Sequence, residues 1–183
     1  EPGCVYASRP TIAHYMDPRT SLLNTMDIFV YLQQSYDSSQ TEEALRAVVK
    51  GSFLANGYGG DSDAYIKDIM EAAKQSKLSP YVIASTIIIE QGSKGDSPII
   101  SGTYPGYEGY YNFFNMGAYG ATKDIIYTSG LKKAKDNGWN TRRASIIGGA
   151  KAYSSGYTEA GQDTYYYMDF NKFGLIKALF NNL

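Results

Sequence analysis

Cysteine occurs once in the 183 residues, at Cys4, and histidine once, at His14. A lone thiol excludes an intrachain disulfide framework and any cysteine-based zinc site, and one imidazole leaves too few nitrogen ligands for a typical zinc centre. No metal or other cofactor is expected. Blocks of like charge are also missing. The 17 basic and 18 acidic side chains are scattered to a net charge of -1, so the chain lacks the electrostatic footprint of a nucleic-acid binder. The longest apolar runs, "IASTIIIE" and "IFVYL", fall far short of the roughly 20 residues a membrane span needs, and a soluble domain is expected. The chain begins "EPGCVYASRP", with no basic segment leading into an apolar one, so no signal peptide is visible.

What the chain has in plenty is tyrosine, 18 residues against 7 Phe and 1 Trp. A flat apolar face with a hydroxyl at its tip suits a surface that grips a partly polar ligand at low entropic cost, although the same residue also substitutes for Phe in a core. Two clusters concentrate it, "YPGYEGYYNFF" at 104–114 and "YTEAGQDTYYY" at 157–167.

The length fits one domain, and no internal repeat, long linker or low-complexity tract argues for a second. Residues 1–20 lack periodicity and read as an extended arm. "NTMDIFVYLQQ" reads as a short helix capped by Asn24 or Thr25, and "TEEALRAVVKG" as another, capped by Thr41 and stopped at Gly51. A loop at 56–63 follows. Its "DSD" lacks the spacing and closing glutamate of a calcium loop and reads as a cap or turn. Tyr65, Ile66, Ile69, Met70 and Ala73 then mark an amphipathic helix ending near Ser76. Further helices are expected at about 122–136 and at 142–155, the second capped by Thr141 and stopped at Gly156. Residues 93–121, rich in Gly, Ser, Pro and Tyr, have no helical period and fit either a short hairpin or an ordered loop. The fold class is mainly α, a helical core with a small loop or β-hairpin lobe bordering a groove.

The best-delimited helix is "SPYVIASTIIIEQG", with Ser79 as N-cap, Pro80 at the first helical position and Gly92 placed to terminate. Apolar residues cover nearly its whole circumference, as in a helix buried on most sides. Glu90 follows three isoleucines and shares a stripe with Ile83 and Ile87. Burial there, together with the carbonyls of the helix C-terminus, would disfavour its anion. A carboxylic acid kept protonated near neutral pH is what a general acid for glycoside cleavage requires. A glutamate that simply reaches solvent past the helix end is the alternative reading.

Several stretches together resemble the glucosaminidases of glycoside hydrolase family 73, the catalytic domains of Gram-positive, clostridium-like autolysins. They are "YMDPRTSL" (15–22), "VVKGSFL" (48–54), "SPYVIASTIIIEQG" (79–92), "SPIISGTYPGYEGYYNFFNMGAYG" (97–120), "GLKKAKDNGWNTRRASIIGGAKAYSSGY" (130–157) and "GQDTYYYMDFN" (161–171). The resemblance implies a lysozyme-like fold and cleavage of the β-1,4 bond between N-acetylglucosamine and N-acetylmuramic acid in peptidoglycan. It also implies a secreted, wall-associated setting and glycan strands as the partner of a monomeric chain. The family's catalytic glutamate falls on Glu90, and its "NxFNxGA" segment on Asn112, Phe114 and Asn115, expected to line the groove. Glu108 is the candidate second carboxylate. Relatives usually continue past this point into a segment whose tyrosine lines the site. Here the chain reads "NKFGLIKALFNNL" instead, and no residue inherits that role.

Tyr107, Tyr110, Tyr111 and Phe114 are the expected sugar contacts, since sugar faces stack on aromatic rings, with two of the four expected to pack under the lobe. Three routes fit Glu90 as acid. A second carboxylate about 6.5–9.5 Å away activates water, one about 5–5.5 Å away forms a covalent intermediate, or the substrate's own N-acetyl oxygen attacks. A lytic transglycosylase on the same scaffold and a non-catalytic wall-binding module are the competing functions.

Overall fold

The computed structural model describes residues 7–22 and 27–169. In chain order the α-helices among them are α1 (Arg9–Met16), α2 (Pro18–Ser21), α3 (Glu42–Val49), α4 (Ala64–Ser76), α5 (Pro80–Gln91), α6 (Lys123–Asp136), α7 (Arg142–Gly156) and α8 (Tyr165–Asp169). The chain forms two compact units, one of residues 34–163 and one pairing residues 1–33 with 164–183.

Helix starts in the 34–163 unit follow from their caps. Thr41 accepts the Ala44 N–H at 3.2 Å to begin α3, and Ser79 accepts the Tyr81 N–H at 3.3 Å to begin α5. Thr122 and Thr141 do the same for α6 and α7, taking the N–H groups of Ile125 at 3.3 Å and Ala144 at 3.0 Å. Each such bond satisfies one of the orphan donors of a first turn and is worth about 1 kcal/mol. The stop expected at Gly156 falls one residue later, since Gly156 is the last helical residue and the chain turns at Tyr157.

Amphipathic spacing then assembles the core. α3 buries Leu45 and Val49, one turn apart, and α4 buries Tyr65, Ile66, Ile69, Ala72 and Ala73. α4 packs most extensively on α7, while α5 lies against α3 and α4. Phe113, Leu131 and Ile146 complete a continuous apolar cluster with Ile83 and Ile87 of α5. Gly149 of α7 is where the loop segment enters most closely. A β-carbon there would stand 2.1 Å from the Phe114 ring, so only glycine leaves room.

Residues 93–121 settle as an ordered loop. A single 3-10 turn, Pro98–Ile100, is followed by reverse turns, and the described residues contain only isolated bridges in place of strands. Their amides are committed locally or to the core: Tyr107 N–H to Tyr104 at 2.9 Å, Tyr111 N–H to Trp139 at 3.1 Å and Asn112 N–H to Ile99 at 3.0 Å. That leaves no row of free backbone groups for a hairpin partner.

The other unit corrects an expectation. The arm read as extended contains α1 and α2, because Ser8 accepts the Thr11 N–H at 3.3 Å and Asp17 the Arg19 N–H at 3.0 Å, local caps that need no apolar period. Asp17 is held down to about 2 by its side-chain and backbone bonds to Arg19. The helix expected around 24–34 is a 3-10 helix, Asp27–Tyr31, and its proposed caps lie outside the described residues. α8 is short. Its Tyr166 stacks at 4.9 Å on Tyr31 and donates its hydroxyl to the Met16 carbonyl. Cys4 and the segment after Asp169 also fall outside the described residues.

Candidate active site

α5 buries Pro80, Ile83, Ala84, Ile87 and Gln91 and leaves its other residues partly or fully exposed. Ile83, Ala84 and Ile87 have no exposed surface, whereas Ile89 is 79% exposed and Glu90 stands in solvent. Glu90 continues the Ile83 and Ile87 stripe in angle, yet it is exposed while the next residue, Gln91, is buried. The expectation that isoleucines bury its carboxyl is therefore corrected. Gly92, at φ +72, ends the helix in a conformation a side chain rarely adopts.

The carboxyl is nevertheless held. Asn115 Nδ2 donates to Glu90 Oε2 at 2.8 Å and to the Glu90 carbonyl at 3.0 Å. Asn115 itself adopts φ +50, a left-handed position Asn tolerates better than most residues. Its Oδ1 accepts from Gln91 Nε2 at 3.0 Å, and the same nitrogen reaches the carbonyls of Asn112 at 3.2 Å and Phe113 at 3.0 Å. Asn115 was expected to contact substrate. Its amide is spent on the Glu90 turn and on Gln91.

Asn112 and Phe114 are corrections too. Asn112 is fully buried, with its amide donating to the carbonyls of Met116 and Gly130, both at 2.8 Å, and accepting the Met116 N–H at 3.1 Å. It ties the loop to α6 and presents nothing to a ligand. Phe114 is buried against Gly149. Asn112, Phe113 and Phe114 are buried in succession, and Asn115 follows them half-buried.

Tyr107, Tyr110 and Tyr111 are half-buried and pack on the core cluster. A Lys135 ammonium lies 5.9 Å from the Tyr110 ring, and the Arg142 guanidinium is sandwiched 4.9 Å from Tyr111 and 5.3 Å from Tyr58. Behind that sandwich, Asp68 is buried, pairs with Arg143 at 2.9 Å and accepts the Tyr58 hydroxyl. Burial first, and that bond second, push the Tyr58 phenol well up. Glu108 is exposed. Its carboxyl is held below its ordinary value by its own backbone N–H and that of Gly106, the latter at 3.1 Å. No hydrogen bond or ion pair joins it to Glu90, and no cluster of metal-ligating side chains occurs among the described residues.

Three features escaped the sequence. Gln91 was passed over as a helix-end residue. Ile89 and Tyr119, the latter 77% exposed, are large side chains left in solvent on either side of the Glu90–Asn115 contact in sequence. An open cavity of about 370 Å³, lined by Gly51, Ser52, Phe53, Ala55, Asn56, Ser93 and Lys94, begins just beyond the end of α5.

No family model matches the chain. Curated relatives do. The chain is 30% identical over 167 residues to a "Beta-N-acetylglucosaminidase" of Bacillus subtilis (strain 168), an alignment covering 88% of this chain and 18% of that protein. It is 26% identical over 174 residues to a "Bifunctional autolysin" of Staphylococcus epidermidis, covering 90% of this chain and 12% of that protein. The chain thus spans less than a fifth of the length of these relatives. Among solved structures, S. aureus autolysin E in complex with the muropeptide NAM-L-Ala-D-iGlu superposes with a TM-score of 0.59 at 26% identity, over 92% of this chain and 68% of that one. The mainly helical fold and the glucosaminidase resemblance read from the sequence both stand on these findings.

Proposed function

We propose that the chain is the catalytic domain of an autolysin-type peptidoglycan hydrolase, cleaving the β-1,4 bond from N-acetylglucosamine to N-acetylmuramic acid with Glu90 as general acid. One observation carries the assignment of the acid: Glu90 is an open carboxyl at the end of a buried helix, with one oxygen held by Asn115 and the other free of any protein donor. In this reading Oε1 carries the proton to the leaving glycosidic oxygen as its bond to the anomeric carbon breaks, and water adds to that carbon. The sugar chain, once seated, supplies the desolvation that the helix does not.

Glu108 suits the complementary role. Two backbone N–H groups stabilise its anion, which fits a base or a charge stabiliser and not a proton donor. Ile89, Tyr119 and the exposed edges of Tyr107 and Tyr110 offer apolar faces for sugar rings. The names of the relatives and the muropeptide bound to the autolysin E neighbour support the same substrate class here. The domain acts on wall glycan outside the cell, as a monomer.

Mass spectrometry of digested walls tests the reaction. Hydrolysis leaves N-acetylglucosamine at the new reducing end. A lytic transglycosylase would give an anhydro product one water lighter, and a binding module would give no product.

A further inference from the structure

The donor and acceptor pattern around α5's last residue can be read outward from atoms whose identity is fixed. The carbonyls of Asn112 and Phe113 are backbone oxygens and only accept, so the Gln91 atom facing both at 3.2 and 3.0 Å must be its nitrogen. That nitrogen only donates, so the Asn115 atom 3.0 Å from it must be Oδ1. Nδ2 of Asn115 is thereby turned toward Glu90, where it meets the carbonyl and Oε2. Rotating the Asn115 amide by half a turn would set nitrogen against nitrogen on one side and oxygen against carboxyl oxygen on the other. The orientation is locked by Gln91.

Gln91 holds its place at a cost. It is buried, and its Oε1 has no hydrogen-bond partner. An apolar side chain of the same length would avoid burying an unpaired acceptor. What it would lack is the nitrogen, which gathers the two loop carbonyls and the Asn115 oxygen at one point. We infer that Gln91 is a positioning residue for the reaction: through Asn115 it holds one oxygen of Glu90, and so sets where the other oxygen, the one that carries the proton, is aimed. This rests on the reading of Glu90 as the acid.

A double-mutant cycle on a soluble glycan substrate tests it, using Gln91→Met, Asn115→Gly and the pair. Glycine keeps the φ +50 backbone while deleting the amide. Each single substitution is expected to lower kcat by about tenfold to a hundredfold with KM changed less than about threefold. The double variant should be no slower than the slower single, because Gln91 acts only through Asn115. Multiplicative losses in the double variant, or a raised KM with kcat intact, would overturn the inference.

A second readout does not depend on activity or on Gln91→Met folding. In the ¹⁵N-labelled chain the Asn115 side-chain amide signals should move on Glu90→Gln and on Gln91→Glu. If they respond to neither, the amide chain is absent. If they respond while wall glycan stays intact, the positioning geometry holds and the hydrolase assignment is what fails.

Discussion

Two parts of one helix, built from the same residue type, face opposite surroundings. On one face of α5, Ile83 and Ile87 are sealed in the core; Ile89, two residues beyond Ile87 and so on the opposite face, is 79% exposed beside an open glutamate. Hydrophobicity around α5 is nearly uniform, so what separates scaffold from site is which face the packing partners cover. The buried turns fix the direction of the helix. In the last turn Gln91 stays buried while Ile89 and Glu90 are exposed, and the Glu90 carboxyl is held by a loop residue 25 positions away. Under the proposed function, Ile89 beside the held carboxyl offers an apolar face to a sugar ring.

Substitutions at Ile87 and Ile89 would sharpen that contrast. Ile87→Ala should cost about 2–5 kcal/mol in urea unfolding, since the cavity left in a close-packed core does not collapse, while the folded fraction keeps its specific activity. Ile89→Ala should change stability by less than about 0.5 kcal/mol and raise KM on soluble glycan without lowering kcat. Equal stability losses at the two positions would mean that the last turn is packed after all.

Glu108 offers a smaller test on the loop. Its folded value lies below the ordinary 4.5 because two N–H groups bind the anion, so any order this bond gives the turn is present above 4.5 and is lost as the pH falls through the lower folded value. The Gly106 amide proton, titrated by NMR, should therefore shift with a midpoint below 4.5, and Glu108→Gln should abolish the shift.

Local chemistry made much of this fold legible. Thr41, Ser79 and Thr141 each precede an apolar-periodic run and each caps a helix. α1 escaped because its residues bury nothing, so no stripe announces it. Glu90 stands out in the sequence by its place behind Ile87, Ile88 and Ile89, while the choice between a buried and a solvent-reaching carboxyl stays open there, because exposure depends on which elements lie alongside. Asn112 and Asn115 sit three residues apart with the same side chain; one is sealed inside and the other holds the Glu90 carboxyl, a difference created by contacts to Gly130 and Gln91 that no local period encodes.

The most direct test of the account is Glu90→Gln, which keeps the shape and hydrogen-bonding capacity of the side chain but removes its transferable proton. Release of N-acetylglucosamine reducing ends from purified walls should fall by about 10²–10⁴-fold, with wall binding and thermal stability near those of the parent chain. Release at close to the parent rate would contradict the assignment of Glu90 as the acid.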